Sequence, residues 1–253
     1  MYRFFIEPAD IDLSEGQIRI RGEDVNHIRN ALRMKKGEQI LLSTGQKDDP
    51  VEYLCEIDDI RSDEVVAKIL DLQKNARELP ADLYLFQAIP KGDRFETVIQ
   101  KCVELGVHEI VPVISARTIV KLDEKRAVKK AERWRGISLA AAKQSKRSFV
   151  PDVQCPVTWA DAVETASKLD RVLVPYENAK GISHTRSAIG AIQPGESVGI
   201  FIGPEGGFEE KEIAQLEALG AESITLGHRI LRTDTASIAV LAMLMLHLER
   251  DED

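Results

Sequence analysis

The chain has 253 residues, 43% of them hydrophobic and 30% charged, a balance that fits one large domain or two unequal ones around a real core. Its net charge of −8 argues against a nucleic-acid binder unless a basic face is hidden in the average. Met1–Glu7 has no apolar run with a cleavage site, and the most apolar stretch, Ile238–Leu246, is about half the roughly 18 residues of a membrane span, so neither a signal peptide nor a membrane segment is expected.

The first 72 residues read as short strands. Gln17–Arg21, Gln39–Ser43, Val51–Ile57 and Glu64–Leu70 are apolar or alternating runs separated by turn residues at 15–16, 36–37 and 48–50. One helix, about Glu23–Arg33, interrupts them. This spacing suggests a small β-barrel over residues 1–72. Residues 73–80 are polar, aperiodic and end in Pro80, which reads as a linker.

From residue 81 to 253 strands alternate with helices. Strands are expected at 83–86, 109–114, 171–174, 198–202 and 223–226. Helices are expected at 95–105, closed by Gly106, at 124–144, and at 236–246. Such alternation means an α/β domain on a mostly parallel sheet. The last helix is apolar on nearly every face, which points to a subunit interface.

Residues 125–147 hold nine Lys or Arg and one acid, Glu132, so the segment is +8 and the remainder −16. Ala127, Ala131, Trp134, Ser138 and Ala141 form a core-facing stripe, leaving Lys143, Arg147 and the other cations on the wetter faces. Arg117 and Lys121 lie just upstream. A solvated helix is the plain reading. The imbalance favours contact with an RNA or DNA backbone, because self-repulsion along one helix needs an anion to relieve it. Arg19, Arg21, Arg29, Arg33, Lys35 and Lys36 make a second basic cluster near the start. Cys55, Cys102 and Cys155 are scattered, which suggests reduced thiols in the cytoplasm. The five histidines show no metal-ligand spacing, so no metal is expected.

Two turns carry chemistry. Ile200–Glu212, IFIGPEGGFEEKE, runs from a strand through glycines into a helix. It lacks the glycine and lysine spacing of phosphate-binding loops. Glu209 and Glu210 read as helix-start residues, which the helix dipole favours. Glu205 sits inside the turn, where it would repel a phosphate. A purine-bearing, apolar or cationic ligand fits better, and S-adenosylmethionine is a sulfonium without phosphate. The second turn follows a strand ending at Leu226, in LGHRILRTDTAS, with Asp234 or Thr235 as the expected helix cap. If the two strands pair, the turns at Gly203 and Gly227 line one pocket at the carboxyl end of the sheet.

GPEGGFEEKEI and LGHRILRTDTA closely resemble the signature turns of the RsmE family, SPOUT-class enzymes that methylate N3 of a uridine in 16S ribosomal RNA. Further resemblance lies in His27-Ile-x-x-x-Leu32-Arg33, Pro90-Lys-Gly-Asp-Arg94, Gln100–Val107 and Gln144-Ser-x-Arg147, so it covers the whole chain. Asp234 departs from it, standing where the family usually has Glu, as do Lys143 and Lys146, where it more often has Glu and Gly. The resemblance implies a PUA-like RNA-binding barrel followed by an α/β domain with a trefoil knot, acting as a homodimer. It implies a cofactor pocket of Ile202, Gly203, Gly206, Leu226, Gly227, Ile230 and Leu231. Arg232 is then the cation beside the reacting base, and Glu205 and Asp234 are candidates to take its proton, with His228 a weaker one. Lys91, Arg94 and Arg147 would hold RNA phosphates. Alternatives are a SPOUT enzyme acting on a ribose hydroxyl, a non-catalytic ribosome-assembly module, and a small-molecule enzyme. The substrate is ribosomal RNA, either free or in the assembled small subunit.

Overall fold

The computed structural model describes residues 1–46, 51–74, 78–119, 123–177, 179 and 181–249. The turn expected at 48–50, residues 75–77 of the expected linker, and Lys121 lie outside the described residues. The chain forms two compact units: Met1–Glu78 with Ala142–Val150, and Leu79–Ala141 with Pro151–Asp253.

The first unit holds β1 (Tyr2–Phe5), β2 (Ile11–Asp12), β3 (Gln17–Arg21), α1 (Glu23–Asn26), β4 (Gln39–Ser43), β5 (Val51–Ile60) and β6 (Glu64–Lys74). The strands pair in the order β1-β4-β5-β6-β3-β2, antiparallel except for β1 beside β4. These strands form one six-stranded sheet, and among the described residues no ladder joins β1 to β2. Alternation positions its core. Ile18 and Ile20 point inward from β3, and Arg19 and Arg21 point out. Phe4, Ile40, Leu42, Cys55, Ile57 and Val65 join them around Val25 and Ile28. The expected helix over 23–33 is shorter. After Asn26 it widens into a π-turn at His27–Ala31, with the Leu32 N–H donating to the His27 carbonyl at 2.9 Å.

Residues 142–150 belong to this unit, so the first domain does not end at 72 and β6 runs into the expected linker. The Ser43 hydroxyl donates to the Ser148 carbonyl at 2.6 Å, and the Val150 N–H to the Gly45 carbonyl at 3.0 Å. Lys143 pairs with Asp24 at 3.0 Å. Glu78 accepts from Arg147 Nε and from the Ser148 N–H and hydroxyl, each at 3.0 Å. Arg147 is only 4% exposed and lies against the Phe149 ring. It is a staple of the fold, and its guanidinium does not face solvent as a phosphate contact requires. Arg147→Met is expected to lower unfolding stability by about 2–3 kcal/mol in denaturant titration, because Glu78 keeps its charge and loses the paired cation.

The second unit holds β7 (Asp82–Ala88), α2 (Arg94–Glu104), β8 (Glu109–Ile114), α3 (Glu124–Ser145, through Ala141), β9 (Asp152–Val153), β10 (Val157–Thr158), α4 (Trp159–Ala166), β11 (Arg171–Pro175), α5 (Ile182–Gly190), β12 (Ser197–Ile202), α6 (Glu210–Ala218), β13 (Glu222–Ile224) and α7 (Thr233–Leu248). All strands are parallel, in the order β10-β8-β7-β12-β11-β13, with β9 also on β8. The central runs of β7, β8, β11 and β12 are mostly apolar because helices cover the sheet, with Gln87 of β7 a buried exception. Phe86 of β7 and Phe201 of β12 stack at 4.4 Å between centroids.

The stripe of α3 behaves as its spacing predicts: Ala131, Trp134, Ser138 and Ala141 are buried. Its charge does not. Arg126 pairs with Asp123, Arg133 with Glu96 and Arg135 with Asp152, while Lys130 lies over the Trp134 ring. Carboxylates of the protein itself relieve much of the repulsion that pointed to an external anion. Burial pushes the Cys55 thiol up to about 12 and raises Cys102 too, so both remain protonated packing groups. Among the described residues no helix is long and apolar enough to cross a membrane.

Candidate active site

The carboxyl ends of β11 and β12 and the loop after β13 converge on two adjoining cavities of about 790 and 570 Å³. β12 and β13 do not pair, contrary to the sequence reading. β11 lies between them, and β13 ends at Ile224. The turns at Gly203 and Gly227 therefore face across the end of β11, and Pro175, Tyr176 and Glu177 form the wall between them. Ile230, Leu231 and Ala236 complete that shared wall. Ile202, Gly203 and Gly206 line the larger cavity; Leu226, Gly227 and His228 line the smaller. All seven residues expected around the cofactor line one cavity or both.

The first turn is held from several directions. The Gly207 N–H donates to the Pro204 carbonyl at 2.9 Å, and Gly207 has φ +67°. A Cβ on Gly203 would stand 3.2 Å from Gly207 Cα, which only glycine avoids. The Gly203 carbonyl accepts from the Thr233 hydroxyl at 2.7 Å, and that hydroxyl accepts from Gln87 Nε2 at 2.9 Å. The Ser237 hydroxyl donates to Gln87 Oε1, and Gln87 and Ser237 are fully buried. This polar thread fastens the first turn to the start of α7. The sequence reading missed it, although Gln87 after an apolar strand, and Thr233 and Ser237 one helical turn apart, were the visible signals. Thr233→Val should cost about 1–2 kcal/mol in thermal or chemical unfolding, since it leaves the Gly203 carbonyl and the buried Gln87 amide short of a partner.

The acids of this region divide by role. Glu209 caps α6, and its N–H donates to Glu212 Oε2 at 2.8 Å. Glu212, 2% exposed, also accepts from the Ala116 N–H at 2.9 Å. Both are therefore structural, in keeping with the helix-start reading. Glu205 is not a free carboxylate in the turn. Its Oε1 accepts from the Lys91 N–H at 3.1 Å and from Arg94 Nη1 at 3.0 Å. Arg117, noted in the sequence only as a basic neighbour, donates to the Gly206 carbonyl at 2.6 Å and lines the same cavity.

Helix α7 begins at Thr233, with Arg232 at the cap position and no side-chain cap, so neither Asp234 nor Thr235 is the cap. Arg232 is exposed, lines the larger cavity and has no carboxylate partner among the described residues. Asp234 lies in the first turn of α7 outside both linings, and its Oδ1 is buried with no hydrogen-bond partner. The structure thus brings Arg232, Glu205 and Arg94 to one cavity and leaves Asp234 behind it. Arg19, Arg29 and Arg33 are exposed on the first unit. Among the described residues no group of three or more His, Cys, Asp or Glu is placed to hold a metal.

The linings fit an adenosyl-sulfonium ligand. The close-packed Gly203 turn and Gly227, at φ +113°, present backbone to the cavities, and Ile202, Phe208 and Leu231 supply apolar wall. Glu177, Glu205 and Glu210 line the larger cavity and suit a cation better than a phosphate cofactor. The Thr233 hydroxyl is committed to the Gly203 carbonyl and the Thr225 hydroxyl to the Gly227 backbone. Direct transfer between two bound molecules is the chemistry the arrangement supports, and Arg232 stands in the lining of the larger cavity.

Residues 77–245 match the RNA methyltransferase domain family, and residues 20–70 the RNA methyltransferase PUA domain family. The chain is 36% identical over 253 residues to Ribosomal RNA small subunit methyltransferase E of Bacillus subtilis, covering 98% of each. It is similar to the crystal structure of Ribosomal RNA small subunit methyltransferase E from Neisseria gonorrhoeae bound to S-adenosyl methionine, with TM-score 0.79, 32% identity and 97% of each chain covered. A methyltransferase structure from Legionella pneumophila with the bound cofactor SAM gives TM-score 0.78 at 33% identity, covering 96% of each chain.

Proposed function

The chain belongs to the ribosomal RNA small subunit methyltransferase E family, and from that premise we propose that it transfers a methyl group to N3 of a uridine in 16S ribosomal RNA. It is an S-adenosylmethionine-dependent RNA methyltransferase, supported by its relatives and by the SAM-bound structures it resembles. The observation that carries the reading in this chain is the pair of glycine turns, at Gly203 and Gly227, on either side of one wall, with Arg232 in the lining and without a carboxylate partner among the described residues.

Bound S-adenosylmethionine supplies an electrophilic methyl group on a sulfonium. The backbone of Ile202–Gly206 and of Leu226–Leu231 would hold it, with glycine permitting close approach. Arg232 faces the nucleotide. Uracil gains negative charge as its imide proton leaves, and a positioned guanidinium stabilises that charge more in the transition state than in the ground state. Glu205 is the better placed of the two candidate proton acceptors, since Asp234 lies outside the cavity lining.

The first domain is the RNA-binding PUA-like module, gripping phosphates through Arg19, Arg29 and Arg33, with Lys91 and Arg94 doing so beside the active site. Lys143, paired with Asp24, is left a minor part. The second domain carries the trefoil knot of the SPOUT fold, threaded by the end of the chain. Two copies join through the outer face of α7, where Leu246 is 79% exposed, and through Ile230, 91% exposed, and the protein works in the cytoplasm.

Mass mapping of small-subunit RNA from cells lacking this protein tests the reading. One missing base methyl, restored on a uridine N3 by the purified protein and S-adenosylmethionine, is the expected result. A missing ribose methyl, or no missing methyl, overturns it.

A further inference from the structure

We propose that Glu205 is a built-in mimic of an RNA phosphate: its carboxylate fills a backbone-phosphate subsite formed by the Lys91 N–H and the Arg94 guanidinium, and substrate RNA displaces it. The inference rests on the proposed RNA methylation and deepens it.

An anion already occupies the subsite. Glu205 Oε1 takes both donors, at 3.1 and 3.0 Å, as a single phosphate oxygen would. Glu205 Oε2 has no partner among the described residues. A carboxylate built to lock an arginine would engage it with both oxygens.

The pair is also easily exchanged. The Glu205 and Arg94 side chains are 35% and 41% exposed, and ion pairs so open to water are weak. Displacement would leave the turn intact. Gly203 is held by Thr233, and Gly206 by Arg117, neither of which needs Glu205. Arg94, Arg117, Glu205 and Arg232 line one cavity, so a phosphate arriving at Arg94 enters the same space as the reacting base. The exchange then has two effects. RNA gains a cation that the free protein keeps paired, and the displaced carboxylate is released into the cavity beside the cofactor turns. Nucleic acids without a phosphate at this position would leave Glu205 in place.

The test is a double-mutant cycle on the full chain with S-adenosylmethionine present, reading affinity for small ribosomal subunits from cells lacking this protein. Glu205→Gln should tighten binding about three- to tenfold, because the competing anion is gone. Arg94→Ala should weaken it about tenfold. In the Arg94→Ala background Glu205→Gln should lose its effect. Calorimetry with S-adenosylmethionine should show cofactor affinity unchanged in Arg94→Ala, so that its weaker subunit binding reports the RNA contact alone. Weaker or unchanged subunit binding by Glu205→Gln, or equal tightening without Arg94, overturns the mimic while leaving the methylation reading intact. A wild-type protein that binds neither subunits nor cofactor removes both. Should Glu205→Gln fail to fold, the Lys91 amide resonance of the wild-type protein is followed during titration with oligouridylate. A shift that Arg94→Ala abolishes is expected, and a stationary resonance overturns the proposal.

Discussion

Arg232→Ala should slow methyl transfer by about 10²–10³-fold while leaving S-adenosylmethionine affinity within about twofold. Arg232 lines the larger cavity, stands exposed at the cap position of α7 and has no carboxylate partner among the described residues. Its removal therefore breaks no ion pair and leaves no buried charge behind, so stability should change little. The loss should fall on turnover, because the guanidinium meets developing charge rather than the resting cofactor. Single-turnover kinetics beside calorimetry separate the two quantities. A large loss of cofactor affinity with normal turnover at saturation would show that Arg232 builds the pocket instead. Arg232→Lys should recover part of the rate, since charge returns without the planar fork.

Gly203→Val should reduce S-adenosylmethionine affinity by about 10²-fold or more, because its branched side chain pushes the turn backbone out of a preorganised site. The first atom of the new side chain would stand 3.2 Å from Gly207 Cα and 3.3 Å from Gly207 C and Phe208 N. All three are backbone atoms and cannot swing aside as a side chain would. The turn must open, and its carbonyl is tied to Thr233, so the strain passes into the start of α7. Gly203→Ala should show the same defect in milder form. Calorimetry decides, and unchanged affinity in the valine variant would place the cofactor away from this turn.

Local patterns made much of this legible. Gln17–Arg21 alternates, Glu109–Ile114 is apolar between turn residues, and the α3 stripe repeats at three and four residues; each element formed with those bounds or within a residue of them. The two cavity-lining turns were visible because glycine permits backbone that other residues cannot adopt. What stayed hidden depends on long-range pairing. Asp152–Val153 and Val157–Thr158 are too short to signal strands and exist only because β8 offers them an edge. The carboxylates that pair with α3 come from Asp24, Glu96, Asp123 and Asp152, and the one holding the segment after it from Glu78. No window of sequence shows that the two sets will meet. Arg147 looked like a free cation for the same reason. The placement of β11 between β12 and β13 is likewise a property of the whole sheet, and it turned one imagined pocket into two with a common wall.

The chain passes between its two units at three points, after Glu78, Ala141 and Val150. Cutting it once, at any position, cannot yield two whole pieces. A fragment stopping at residue 78 would carry Glu78 and Ser43 without Arg147 and Ser148, and a fragment starting at residue 79 would expose those same residues to water. Swapping the RNA-binding module for another, or grafting it elsewhere, therefore means transplanting a nine-residue piece from the middle of the catalytic half along with it.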